Sequence, residues 1–329
     1  MIPEFFTPQD EWLDQVGRIY VLLRSVQIGD AAAEHRLELR HKNRVNSVHS
    51  STAIEGNRLN LDEATAVING QTVYGPERDI REVQNAWAAY EALDTYDPYS
   101  VEDFLRAHGL LTSGLITESG RFRSRDVEIV NELSEVLHTG SRVAKVPRLI
   151  SELLEWASTT TAHPIVASSA THFLIEHIHP FQDGNGRIGR LWQTLMLSRW
   201  NPLFAWMPTE SLIAQHQAGY YTALQASREP AIDAAPFITF MLGIIEASLE
   251  DYQASVVENV VENVVVNDAV LGLIREDPTI SATRIGERLG ISSRQVQRII
   301  KVWKDQGVLV REGSAKAGTW KVQQRQVGD

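Results

Sequence analysis

The sequence predicts a mainly α protein: a helical bundle with one β-hairpin attached, followed by a small α+β module. Three observations carry this expectation. Apolar residues recur at three- and four-residue spacing over much of the first 250 positions, the period of an amphipathic helix. One pair of short runs, 125–130 and 135–140, breaks that period and reads as two strands with polar residues between them. Beyond Asp268 the text changes to helix, short turn, helix and two strands.

The elements follow in order. EWLDQVGRIYVLLRSV (11–26) and EHRLELRHKNRVNSVHSSTAIEG (34–56) are the first helices. VQNAWAAYEALD (83–94), VPRLISELLEWAST (146–159), PIVASSATHFLIEHI (164–178) and the stretch from Gly186 to Trp200 come next. Pro147 and Pro164 stand where first-turn prolines belong, since an N–H there has no intrahelical acceptor to lose. A lone hairpin in a helical body is an attachment on it, not its core. Residues 256–267 read VVENVVENVVVN, and a period of four keeps the valines on one slowly drifting stripe. This stretch is a linker helix packed on a neighbour; the alternative is self-association, and with it a homodimer.

AVLGLIREDP (269–278) is a helix ended by proline. Two helices joined at Gly290 follow, with Ser281 and Ser292 as N-caps. VLVREGSAKAGTWKV (308–322) supplies two short strands around a Gly/Ser loop. This order resembles a winged helix-turn-helix domain. The expected division is 1–95, an N-terminal helical region; 96–250, the core; 251–267, the linker helix; and 268–329, the small module.

Composition narrows the function classes. The chain has 329 residues, 43% hydrophobic and 22% charged, so neither disorder nor a membrane protein is expected. There is no cysteine, which excludes disulfides and thiolate chemistry and fits a cytoplasmic protein. The start, MIPEFFTPQDEW, lacks the pattern of a signal peptide. Charge is uneven: residues 268–329 carry 11 Lys and Arg against 7 Asp and Glu, or +4, and the rest carry 20 against 35, or −15. An acidic body with a basic terminal module implies different partners for each.

The chemistry concentrates in HPFQDGNGRIGR (179–190). Asp183, Gly184, Asn185 and Gly186 form a turn before a helix, whose free N–H groups and positive dipole end bind phosphate. The glycines allow close backbone approach. Arg187 and Arg190 share a helix face, and two guanidiniums beside an anion nest suit a polyphosphate. Asp183 is a lone carboxylate at the nest, and Mg²⁺ commonly takes one or two, completing its shell with phosphate oxygens and water. His179, just ahead, is placed to accept a proton from an attacking hydroxyl. Phe181 is a core plug anchoring the loop. A zinc cluster of His172, His177 and His179 is the weaker alternative, since it lacks an i, i+4 pair on one helix.

HPFQDGNGRIGR resembles the signature of the Fic family, H-P-F-x-D/E-G-N-G-R-x-x-R, at every defined position. The resemblance implies a helical bundle with a hairpin flap, here 125–130 with 135–140, that docks a target as an added strand. It implies AMP transfer from ATP to a Ser, Thr or Tyr hydroxyl of a protein, with His179 as base and Asp183 as Mg²⁺ ligand. Gly184, Asn185 and Gly186 would be the anion hole, and Arg187 and Arg190 would hold the β- and γ-phosphates. YYTALQASREPAIDAAPFITFML (220–242) resembles the stretch that follows the signature, making Tyr221 a candidate neighbour of the adenine, with a core tyrosine as the alternative.

SSTAIEGNRL (50–59) resembles the family's inhibitory motif, S/T-x-x-x-E-G/N, through Ser51, Glu55 and Gly56. Its position before the signature matches the class that carries the motif on an N-terminal helix. Glu55 at a helix C-terminus is disfavoured by the dipole, and Arg190 is the expected compensating partner. Such a pair would remove the γ-phosphate's partner. Removal of AMP from targets is a further activity that the resemblance implies for some members. Two alternatives stand beside this reading. One is a DNA-binding regulator acting through Arg294 and Arg298 on the presumed recognition helix. The other is transfer of UMP or another phosphate-containing group.

Overall fold

A computed structural model of the chain describes residues 5–29, 33–130, 136–305, 307–312 and 318–323. The helices of the first part are α1 (Glu11–Gly29), α2 (Ala33–Ile54), α3 (Leu61–Ile68), α4 (Glu77–Glu91) and α5 (Val101–Leu111). The hairpin β1 (Glu128–Val130) and β2 (Val136–Thr139) interrupts them, followed by α6 (Val146–Thr159), α7 (Pro164–Ile178), α8 (Asn185–Trp200), α9 (Thr209–Gln215) and α10 (Gln217–Ala226). The long α11 (Ala235–Glu276) leads to α12 (Ala282–Leu289), α13 (Ser293–Asp305), β3 (Leu309–Glu312) and β4 (Thr319–Val322). The chain divides into two compact units, Met1–Gln253 and Ala254–Asp329.

The first unit is built around α7 and α8. Both are buried on nearly every face, which suits the middle of a bundle. The short connection at 179–184 folds α8 back along α7. Helices α2, α5 and α6 pack on this pair, and α2 also meets α4 and α9. Phe104, Phe173, Phe181, Trp192 and Phe237 are fully buried between the layers, and Phe104 meets Trp192 edge-on at 5.0 Å. Local chemistry sets the helix starts. Asn60 and Glu63 form a reciprocal capping box on α3, and Ser100 caps α5 by accepting from the Asp103 N–H. Residues 5–95, set apart in the sequence, pack into the same unit as the signature helix.

The hairpin pairs antiparallel, Glu128 opposite Thr139 and Ile129 opposite His138, with an irregularity between Ile129 and Val130. Some bounds differ from expectation. The helix expected at 83–94 runs Glu77–Glu91, because Pro76 sets its start. The helix expected over 34–56 ends at Ile54. Residues 256–267 and 269–276 are one helix, since no proline stands between Pro236 and Pro278. Side chains 255–265, with most of the valine stripe, lie outside the described residues.

In the second unit, Gly290 (φ 69°) ends α12, and Ser292 accepts from the Gln295 N–H at the start of α13. A Cβ on Gly286 would lie 2.6 Å from the Ile291 carbonyl oxygen, so a side chain there would spread the turn. Val270, Ile274, Ile285, Val296, Ile300 and Leu309 form its core. Strands β3 and β4 pair in regular register, from Leu309 opposite Val322 to Glu312 opposite Thr319.

Trp192 is fully buried in α8, and its Nε1–H donates to the Pro98 carbonyl at 3.0 Å. Trp192→Ala is expected to cost about 3–5 kcal/mol, and a urea titration that shows less than ~1 kcal/mol would refute this account of the core.

Candidate active site

The site begins where α7 ends. His179 is the C-cap of α7 and adopts φ 54°, ψ 62°, the left-handed region. It is the one non-glycine with positive φ among the described residues. That conformation costs on the order of 1–3 kcal/mol and persists only where its surroundings impose it. Its N–H donates to the Ile175 carbonyl at 2.9 Å, and its own carbonyl accepts from Arg123 Nε at 2.7 Å. Burial pushes the imidazole down to about 4, helped by nearby His138 and only partly opposed by a backbone contact to Glu176. The ring is therefore neutral near pH 7. Its Nδ1 is buried without a partner among the described residues.

The chain then turns inward. Phe181 is fully buried and stacks on the His108 ring at 3.5 Å with 6° between planes. Asn185 clips the loop in both directions: it accepts from the Phe181 N–H at 3.0 Å and donates to the Phe181 carbonyl at 3.0 Å. The Asn185 side chain thus shapes the nest from behind. Gly184 (φ 85°) precedes α8, and no side chain caps that helix. The first N–H groups of α8 consequently lack intrahelical acceptors, an arrangement suited to an anion.

Asp183 stands at the edge of this nest. Its carboxylate accepts from the Gly184 N–H at 2.6 Å, Arg187 Nη2 at 3.1 Å and Arg78 Nη2 at 2.8 Å. Burial pushes its carboxyl up, but Arg187, the Gly184 N–H and Arg78 outweigh that, and it lies below the usual range. Arg187 is 2% exposed and has Glu82 3.5 Å away, while its Nε and Nη1 make no hydrogen bond among the described residues. His108 accepts the Gly120 N–H at Nδ1, so its Nε2–H is left to donate to the Asp183 carbonyl at 2.9 Å.

Arg190 is the deepest charge, 1% exposed. Its Nη2 donates to Glu55 Oε1 at 2.7 Å and to the Ser51 carbonyl at 2.9 Å, and its Nε donates to Ser51 Oγ at 3.1 Å. Burial lowers the guanidinium's affinity for its proton, but Glu55, Tyr220 and Glu176 outweigh this and raise it. A Cβ on Gly186 would fall 2.1 Å from Glu55 Oε1, so the Glu55 carboxylate rests against the first turn of α8. Gly56 (φ 90°) ends α2: its N–H donates to Ala53 and that of Asn57 to Thr52, the Schellman arrangement, with Glu55 at the cap. The Ile54 carbonyl accepts from Gln217 at 2.8 Å and from the Tyr221 hydroxyl at 3.3 Å. Tyr221 is 47% exposed and is therefore not a core tyrosine; Tyr220 holds that place.

The structure thus brings Ser51, Glu55, Gly186 and Arg190 together, and His179, Asp183, Gly184 and Arg187 beside them. His172, weighed as a metal ligand, sits between Gln193 at 2.7 Å and Tyr220 at 3.0 Å. Arg294 and Arg298 belong to the second unit; Arg294 is exposed and Arg298 is partly buried and already engaged. Arg78, Glu82, His108 and Arg123 were missed in the sequence, where nothing local distinguishes them from ordinary helix-face or loop residues. Chemically, the arrangement offers a neutral imidazole, an ionised carboxylate, uncapped N–H groups and two buried guanidiniums.

A profile described as the Fic/DOC family matches residues 98–197, and one described as the MarR family matches residues 269–318. A solved structure of a Fic family protein from Desulfovibrio desulfuricans G20 is 35% identical, with TM-score 0.72, and the match covers 99% of each chain. Protein adenylyltransferase fic-1 of Caenorhabditis elegans is 29% identical over 217 residues, 62% of this chain and 40% of its own. Protein adenylyltransferase Fic of Nematostella vectensis is 24% identical over 266 residues, 77% and 58% respectively. The chain spans roughly half the length of these curated relatives.

Four histidines, His108 and His172 buried and His177 and His179 half-buried, give the fold a pH dependence. His108, His177 and His179 are pushed down to about 4 and His172 to about 3, each chiefly by burial. Between about pH 6.5 and these values the unfolded chain binds more protons than the folded one, so stability falls as pH falls. The melting temperature is expected to decline steadily from pH 6.5 to 4.5, and less steeply in His172→Gln. A flat profile would contradict the neutral assignment.

Proposed function

Because this chain belongs to the Fic/DOC family, we propose that it is a self-inhibited protein adenylyltransferase that moves AMP from ATP to a Ser, Thr or Tyr hydroxyl of a protein target. The observation that carries this reading is the Glu55–Arg190 ion pair at 2.7 Å, set against the uncapped first turn of α8 with His179 just ahead. In this reading the α8 N–H groups at Asn185 and Gly186 hold phosphate, with Arg187 on the β- and Arg190 on the γ-phosphate. The target hydroxyl oxygen bonds to the α-phosphorus and its proton passes to His179. The bond from that phosphorus to the β-phosphate's bridging oxygen breaks, and pyrophosphate leaves. The target's backbone pairs with the β1–β2 hairpin.

The residues at the nest fit Mg²⁺. Asp183 is a hard oxygen donor held ionised, and it would hold the ion with nucleotide phosphates and water, Arg78 giving up its oxygen. When bound, the ion would supply positive charge along the polyphosphate. Tyr221, half exposed beside the end of α2, would border the adenine. Glu55 and the γ-phosphate are both anions suited to a forked guanidinium, so they compete for Arg190. While Glu55 holds it, bound ATP is turned out of line. The sequence divisions at 95, 250 and 267 serve here as functional segments within the two structural units, the one at 267 falling inside α11, and a cytoplasmic setting rests on the lack of cysteine. Among the described residues no helix is long and apolar enough to cross a membrane.

A misplacement on the 1 Å scale can cost about 10²-fold in rate. Glu55→Gly should therefore raise protein labelling from α-labelled ATP by ~10²-fold with little change in ATP affinity. His179→Ala in that background should lose ~10²–10⁴ of the rate and still bind ATP. No gain in the first variant removes the inhibitory reading; equal rates in the second remove the base.

A second reading concerns residues 268–329, supported by the MarR match and by exposed Arg294, Lys301 and Lys304 along α13. We propose that this unit binds DNA. In gel shifts of the full chain, affinity for duplex should fall steeply with salt, and Arg294→Ala should flatten the slope by about one power of salt. No shift at low salt with any duplex would turn the assignment toward a protein partner.

A further inference from the structure

One arginine outside the signature touches the strained histidine and both roots of the hairpin. Arg123 Nε donates to the His179 carbonyl at 2.7 Å. Its Nη1 donates to the Arg125 carbonyl at 2.6 Å, just before β1, and its Nη2 donates to the Ser141 carbonyl, just after β2. Its own backbone N–H donates to the Pro180 carbonyl at 3.0 Å. The side chain is 1% exposed. The nearest carboxylate is Asp126 at 3.7 Å, and Asp126 itself accepts from the Val143 N–H at 2.7 Å. The guanidinium therefore satisfies backbone carbonyls rather than forming a close ion pair.

The surroundings are shaped to this contact. A Cβ on Gly140 would lie 3.1 Å from Arg123 Nη2 and 3.3 Å from His179 Cβ, so the missing side chain lets the hairpin's second root close over both. The Gly140 N–H donates to Val127, and the Ser141 N–H to Ile178, one residue before His179. A left-handed histidine needs its carbonyl direction fixed, and a helix end supplies only the Ile175 contact to its N–H. The contact that fixes the carbonyl comes from Arg123.

We propose that Arg123 is the positioning residue that holds His179 in its strained conformation and ties it to both ends of the β1–β2 hairpin. It touches no reacting atom. A target strand paired on the hairpin then bears on the same guanidinium that aims the imidazole. Lysine cannot replace it, since one ammonium cannot span three carbonyls set in a fork. The catalytic part of this inference rests on the function proposed above, while the placement of the ring does not.

The test uses full-length protein. In the Glu55→Gly background, self-labelling with α-labelled ATP should show kcat lowered ~10²-fold in Arg123→Gln, with KM for ATP within about threefold of the parent. Arg123→Lys, which keeps the charge, should recover less than a tenth of the parent rate. A second readout needs no transfer: titration of the His179 ring by NMR, with Glu55 intact. In both variants the ring should move up from about 4 toward the ordinary value near 6.5, since a released His179 swings toward solvent. The lysine variant separates lost geometry from lost charge, and it decides alone if Arg123→Gln does not fold. An unchanged ring titration in folded Arg123→Lys overturns the proposal, as does a raised KM at unchanged kcat. If the Glu55→Gly parent fails to label at all, the function reading falls, and the ring titration still decides the positioning role.

Discussion

A buried guanidinium is the constraint on which this structure turns. Arg190 lies at the centre of the bundle, 1% exposed, and an arginine cannot shed its charge to relieve burial. Left without an anion, such a group would cost about 3–5 kcal/mol. Glu55 supplies the anion, Ser51 supplies a hydroxyl and a carbonyl, and both stand on the last turn of α2. The position of α2 against α8 is thus fixed at its business end by charge as well as by packing. Any ligand that takes Arg190 from Glu55 must bring an oxyanion of comparable reach, a requirement that the terminal phosphate of the nucleotide proposed above would meet.

The same logic of burial governs the histidines. His108 and His172 are held by buried hydrogen bonds, and His179 by its helix end and Arg123, and all three are kept uncharged by their surroundings. A bundle that already buries Arg123, Arg187 and Arg190 would be poorly served by additional positive charge. Neutral imidazoles spare it that repulsion, and they leave His179 in the form able to take a proton.

Much of this was legible in the sequence, because the chemistry at 179–190 depends on local order. A turn before a helix start, two arginines one turn apart and a histidine at the preceding cap can all be read without a fold. The Glu55–Arg190 pairing was legible only through the resemblance of 50–59 to the inhibitory motif, since an acid at a helix C-terminus calls for a cation without naming which. The contacts made across the fold outside these motifs could not be read from the residues. Arg78 reaches Asp183 from more than a hundred positions away, and Glu82 reaches Arg187 from a similar span. Arg123 sits in a loop whose text, GRFRSRD, differs little from any polar connection. Helix ends drifted for ordinary reasons: Pro76 moved the start of α4, and the lack of a breaker fused the linker with the helix beyond it.

Gly186 has a bearing on how this chain can vary over time. Its missing side chain admits the Glu55 carboxylate, and its backbone belongs to the uncapped first turn of α8. On the function proposed above, any larger residue there evicts Glu55 but also crowds the phosphate site, so that position offers no way around the restraint. The α2 side carries no such double duty. On the inhibition proposed above, drift toward an unrestrained form has a narrow and recognisable route, through Ser51, Glu55 or the left-handed turn at Gly56, with the signature itself left intact.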